Sequence, residues 1–104
     1  MAKELQKNIV LLGATGSIGQ STLRVLRAHP DRLRLLAVSA RSNDAELAKI
    51  CQEFSVPYAA LTESSAADCA FPESTELLQG ESSLLQLASL ESADIVVVAT
   101  VGSH

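Results

Sequence analysis

The chain has 104 residues, 47 % of them apolar and 19 % charged, with a net charge of −4. That is one compact α/β-sized domain with a real core, which excludes disorder, and no apolar run approaches the ~18 residues of a membrane-spanning helix. The charge is uneven: residues 1–49 hold all eight Lys and Arg with four acids, whereas residues 50–104 hold eight acids and no base. A basic first half suits an anionic small ligand, and an acidic second half argues against a nucleic-acid footprint.

Met1 to Glu4 lack the pattern of a signal peptide, so the expected location is the cytoplasm, with no membrane partner. Cys51 and Cys69 do not have the spacing of a metal site and are expected to be reduced, partly buried thiols.

Taken in order, Asn8 to Leu12 is an apolar run with β-branched members that ends at Gly13, the signature of a strand buried on both faces. From Ser17 the period becomes helical: Ile18, Thr22, Val25 and Leu26 fall on one face, with Leu23 beside them, and the helix is expected to stop near Ala28 because Pro30 follows His29. Leu33 to Ser39 reads as a second strand, parallel to the first, across a crossover helix. Asn43 and Asp44 then cap a helix that runs to about Phe54 and ends before Pro57.

Tyr58 to Leu61 reads as a third strand, Thr62 to Cys69 as a weak helix, and Thr75 to Leu78 as a short strand before Gly80. Ser82 to Ala88 is a helix, and Ala93 to Thr100 a strand as clear as any after the first. This alternation predicts a Rossmann-like, doubly wound α/β fold, a mostly parallel sheet with helices on both faces, incomplete at its C-terminal side. We expect one domain over residues 1–104, a piece of a larger enzyme.

The strand-turn-helix at the start carries the functional signal. Gly13, Gly16 and Gly19 are each separated by two residues, a wider form of the dinucleotide fingerprint. Gly13 permits the sharp turn, Gly16 the approach of phosphate, and Gly19 the close packing of the helix. Thr15 and Ser17 add hydroxyls, and Ile18 is expected beneath the cofactor. At the end of the second strand an Asp or Glu would signal NAD, but this chain has Arg41-Ser42-Asn43. Arginine offers a charged fork to the extra phosphate of NADP, with Ser42 and Asn43 as neighbouring donors. The phosphate-loop motif of nucleotidases is absent. His29 at a helix end and the terminal His104 suggest no chemistry, and no Ser/His/Asp arrangement, acid pair or metal cluster can be assembled.

The run Gly-Ala-Thr-Gly-Ser-Ile-Gly-Gln-Ser-Thr-Leu, Gly13 to Leu23, resembles the opening of the 1-deoxy-D-xylulose 5-phosphate reductoisomerases. The likeness continues through His29-Pro30, Ala40 to Asn43, Glu53 to Ser55 and the final strand with Val101-Gly102. It implies an NADPH-binding domain in which Thr15, Gly16, Ser17 and Ile18 hold the pyrophosphate and nicotinamide portion. Arg41, Ser42 and Asn43 would surround the 2′-phosphate, with Arg41-Ser42 standing where the family often has Gly-Lys or Gly-Arg, and Ala99, Thr100 and Val101 would face the cofactor from the other side.

The resemblance further implies an isomerisation of 1-deoxy-D-xylulose 5-phosphate with NADPH reduction to 2-C-methyl-D-erythritol 4-phosphate, in isoprenoid biosynthesis. It also implies a homodimer and Mg²⁺ or Mn²⁺ held by carboxylates of a catalytic domain outside these residues, so this chain alone is expected to be inactive. Another NADP enzyme beginning Gly-Ala-Thr-Gly, such as an aspartate-semialdehyde dehydrogenase, and a non-catalytic nucleotide-binding module are the alternatives; Ser17 to Leu23 argue against the former.

Overall fold

The computed structural model describes residues 6–63, 71–80 and 82–99. Strands and helices alternate as β1 (Lys7–Leu12), α1 (Ser17–Ala28), β2 (Leu33–Ala40), α2 (Asp44–Phe54), β3 (Tyr58–Leu61), β4 (Glu76–Gln79), α3 (Ser82–Ala88) and β5 (Ile95–Val98). The sheet order is β4-β3-β2-β1-β5, and every neighbouring pair is parallel. The chain thus winds outward from β1 through β4, then returns to place β5 on the other side of β1. The winding reverses between β1 and β5, and open α/β sheets bind ligands at the carboxyl ends of the strands flanking such a reversal.

Both faces of the sheet are covered, which the near-continuous apolar strands require. Ile9, Leu11, Leu35, Val38 and Leu61 pack with Leu23 and Leu26 of α1 and with Leu47 and Ile50 of α2. On the opposite face Val10, Leu12, Leu36, Ala37 and Ala60 pack with Leu87 of α3. Strict alternation would send Leu36 and Ala37 to opposite sides. The β1–β2 register shifts between Ile9 and Val10, which pair with Leu35 and Ala37, and this bulge at Leu36 puts both residues on the α3 face.

The helix boundaries follow local chemistry. His29 closes α1 with its backbone N–H donated to Val25 and Leu26 carbonyls, one residue before Pro30. Asn43 caps α2, its side chain accepting the Glu46 N–H, and Ser55 ends it in the left-handed conformation at φ 53°. Arg27 of α1 clasps Glu53 of α2 through two hydrogen bonds, Nη2 to Oε1 at 2.8 Å, and lies over the Phe54 ring 5.6 Å from its centroid. The guanidinium holds the Glu53 carboxyl below its ordinary range.

Three expectations change. The buried residues of α1 are Gly19, Leu23 and Leu26, whereas Ile18 is 58 % and Val25 51 % exposed. The helix is therefore rotated from the predicted face, because its closest approach is made by a glycine that carries no hydrophobic signal. The last strand is shorter than Ala93 to Thr100: Ala93 N–H bonds to Leu90 in a turn, and Asp94 begins the pairing with β1 through Asn8. The small strand runs from Glu76 rather than Thr75, whose hydroxyl instead donates to the Val56 carbonyl at 2.6 Å. Most of the proposed Thr62–Cys69 helix, with Cys69 and His104, lies outside the described residues. Cys51 is fully buried and free, and burial pushes its thiol up to about 11, against a smaller opposing effect of its hydrogen bond with Thr75.

Candidate functional site

The glycine turn is built by three different constraints. Gly13 has φ 90°, a region that side chains avoid, so the chain can leave β1 abruptly. Gly19 sits where an added Cβ would lie 2.4 Å from the Gly13 carbonyl oxygen and 2.5 Å from that of Ala14; it brings the first turn of α1 down onto the loop. Gly16 has ordinary extended dihedrals, φ −83° and ψ 179°, and an added Cβ there would meet nothing within 4 Å. The open side of Gly16 is space in the molecule. No side chain caps the α1 N-terminus, and its positive end is suited to an anion.

The turn is fastened to the second strand by Ser39, which is 1 % exposed. Its carbonyl accepts the Gly13 N–H at 3.2 Å and the Ala14 N–H at 2.8 Å, and its Oγ accepts the Gly13 N–H at 3.0 Å. On the other flank Ala99 donates its N–H to the Leu12 carbonyl at 2.8 Å, extending the β1–β5 pairing to the crevice floor. The Gln20 amide reaches the Ala14 carbonyl at 3.4 Å.

Around this turn lies an open cavity of about 470 Å³ lined by Gly13, Thr15, Gly16, Arg41, Ser42, Asn43, Glu63 and Ala99. It sits beyond the carboxyl ends of β1, β2, β3 and β5, across the point where the winding reverses. Seven residues singled out in the sequence meet here: Gly13, Thr15, Gly16, Arg41, Ser42, Asn43 and Ala99. Ser17 and Ile18 line a separate shallow depression with Ser21, Thr22 and Val25 on α1, Gly19 is buried beneath the turn, and Thr100 and Val101 lie outside the described residues. Glu63 was not anticipated. The signal for it was its place just past the end of β3, the level at which the other strands also deliver cavity residues.

Three of the cavity side chains are already engaged, two of them with each other. Asn43 Oδ1 accepts the Glu46 N–H at 3.3 Å, so the donating end left to this amide is Nδ2. Arg41 donates Nε and Nη2 to Glu63 Oε2 at 3.1 and 2.9 Å.

A family model for 1-deoxy-D-xylulose 5-phosphate reductoisomerase matches residues 9–104. The chain belongs to this family. Reductoisomerases of Haemophilus ducreyi and Methylococcus capsulatus are 41 % and 43 % identical to it, each alignment covering 93 % of this chain and 26 % of the relative. The chain therefore spans about a quarter of the length of the curated reductoisomerases it matches. Among solved structures, a DOX-P reductoisomerase in complex with magnesium superimposes with a TM-score of 0.81 at 33 % identity, covering 94 % of this chain and 26 % of the other. A Zymomonas mobilis reductoisomerase in complex with NADPH gives 0.78 at 27 %, covering 93 % and 26 %. A third reductoisomerase, in complex with NADPH, fosmidomycin and magnesium, gives 0.80 at 34 %, covering 92 % and 25 %.

Among the described residues no three His, Cys, Asp or Glu side chains come together as a metal could use them, and no helix is long and apolar enough to cross a membrane.

Proposed function

We propose that this chain is the NADPH-gripping domain of a reductoisomerase that converts 1-deoxy-D-xylulose 5-phosphate to 2-C-methyl-D-erythritol 4-phosphate. One observation carries the reading: a single cavity joins the open glycine turn at the α1 N-terminus to the Arg41-Ser42-Asn43 corner of β2. The two ends differ in chemistry as the two phosphate groups of NADPH differ. The turn offers main-chain amides and the Thr15 hydroxyl to the pyrophosphate, with the open side of Gly16 as the approach. The corner offers a guanidinium, a hydroxyl and the Asn43 Nδ2 to the 2′-phosphate.

When bound, NADPH supplies hydride for the reduction; the residues here hold and orient it. Ala99, at the β5 end, bounds the crevice opposite the β2 corner. We assign the backbone amides of Ser17 and Ile18 to the anion, and the exposed Ile18 side chain, which lines the shallow depression on α1, to the underside of the cofactor. Thr100 and Val101, which follow Ala99, remain assigned to the same side of the cofactor on the family resemblance alone.

The magnesium named in structures of relatives finds no matching ligand set among the described residues, and no step of this reading passes through a divalent cation. Substrate binding, the Mg²⁺- or Mn²⁺-dependent chemistry and a homodimer contact belong, on this reading, to residues other than these. The 104 residues alone bind cofactor without turnover, in a cytoplasmic enzyme with no nucleic-acid or membrane partner.

The test is the 2′-phosphate. Arg41→Asp is expected to weaken NADPH binding by roughly 10- to 100-fold, the loss of a charge-assisted contact, and NADH binding by far less. Calorimetric titration of both nucleotides decides it: equal losses would overturn the assignment of Arg41.

A further inference from the structure

Arg41 is held by an acid that is itself part of the cavity wall. Both of its donated bonds end on one oxygen, Glu63 Oε2, and the two side chains are 71 % and 54 % exposed. The encounter is prepared by the main chain. Regular β2–β3 pairing finishes at Ala40 and Leu61, yet the ladder continues beyond it: the Thr62 N–H donates to the Ala40 carbonyl at 3.1 Å and the Glu63 N–H to the Arg41 carbonyl at 2.8 Å. Backbone register therefore delivers a carboxylate to the guanidinium one strand away.

A guanidinium presents its donors in a planar fork, and an oxygen that occupies Nε and Nη2 occupies one of the two edges at which a phosphate binds bidentately. At that edge the carboxylate and the phosphate are rivals. An exposed ion pair is worth at most ~1 kcal/mol, so a phosphate can displace Glu63. The displaced carboxylate stays tethered by its backbone beside the incoming dianion. A nucleotide lacking the 2′-phosphate has no such rival.

Resting on the reading that Arg41 receives the 2′-phosphate, we propose that Glu63 is a specificity-determining residue: its carboxylate competes with the 2′-phosphate for the Arg41 guanidinium and lowers the preference for NADPH over NADH. Where NAD-binding folds place an acid at the end of the second strand to hold a ribose hydroxyl, the acid here stands past the end of the third and pairs with the arginine instead. Preference is set by the balance of Arg41 and Glu63 rather than by Arg41 alone.

Glu63→Gln removes the charge, keeps the shape and leaves the backbone bond to Arg41 in place. Titrating the full chain with NADPH, NADH, adenosine 2′,5′-bisphosphate and AMP, the variant is expected to bind the two 2′-phosphorylated ligands about two- to fivefold tighter and the other two unchanged. In an Arg41→Ala background, where only the repulsion between the tethered carboxylate and the dianion is relieved, the same substitution is expected to give a clearly smaller gain. Unchanged or weaker NADPH binding by Glu63→Gln, or a gain equally large without Arg41, overturns the role of Glu63 while leaving that of Arg41 standing. Equal losses of NADPH and NADH in Arg41→Asp overturn the parent reading and this proposal with it.

Discussion

At the scale of single residues, the three glycines of the turn separate into different jobs, and substitution distinguishes them. Gly19→Ala forces a Cβ to within 2.4 Å of backbone atoms that have no side-chain freedom to yield. It is expected to lower Tm by about 5–15 °C, the cost of overpacking by one methyl group in a domain of this size. Gly16→Val meets open space and ordinary dihedrals, so thermal unfolding is expected to be nearly unchanged while NADPH binding is lost to the side chain standing in the phosphate approach. A Gly16→Val protein that melts like the parent and still binds NADPH would remove Gly16 from the site. The spacing in the sequence marks all three positions but cannot assign these roles, because a positive φ, a backbone collision and an empty volume all select the same residue type.

At the scale of elements, α1 and α2 show what local patterning records and what it omits. Their boundaries were legible because punctuation is local: Pro30 after His29, Asn43 before Asp44, Pro57 after Val56. The buried face of α1 was not legible, since Ile18 and Val25 suggest one stripe while Gly19, Leu23 and Leu26 form another. Arg41 and the acid that holds it were half legible. The arginine announces itself at a strand end, but its partner lies past the end of a different strand, 22 positions away, and only the register of β2 and β3 joins them.

The α2 element also carries a pH dependence. The Cys51 thiol is raised from 9.0 to about 11, so its neutral form is favoured in the folded state. The corresponding stability is fully present below pH 9.0, the ordinary thiol value, and is lost as pH rises toward 11, because the unfolded chain ionises first. Denaturant midpoints measured from pH 8 to 11 are expected to fall over that interval and to fall less in Cys51→Ala, once its own cavity cost is subtracted. Identical slopes in the two proteins would exclude Cys51 as the titrating group.

For the whole molecule, the doubly wound order was legible from the alternation of strand and helix, but the uneven protection of the sheet was not. β1 is buried from Ile9 to Leu12 and paired on both sides, whereas β5 pairs with β1 and leaves Ile95, Val96 and Val98 44 %, 39 % and 65 % exposed. Both segments read as apolar runs, because hydrophobicity reports what a strand can bury and not what lies beside it. Hydrogen exchange is expected to be slowest at β1 and β2 amides and faster at β5, opening with a smaller free energy than the central strands. Uniform protection across all five strands would contradict that order.

The three hydrogen bonds accepted by Ser39 have a further consequence. One buried residue holds the main chain of the glycine turn while standing two positions before Arg41, so the two subsites proposed for phosphate share one frame, like the jaws of a caliper. A ligand with two phosphate groups at the matching separation engages the second jaw at the high effective concentration set by the first, whereas a ligand with one phosphate forgoes that gain. Molecular length thus becomes a criterion of recognition alongside charge, and loosening this serine would blunt the gauge without touching either jaw.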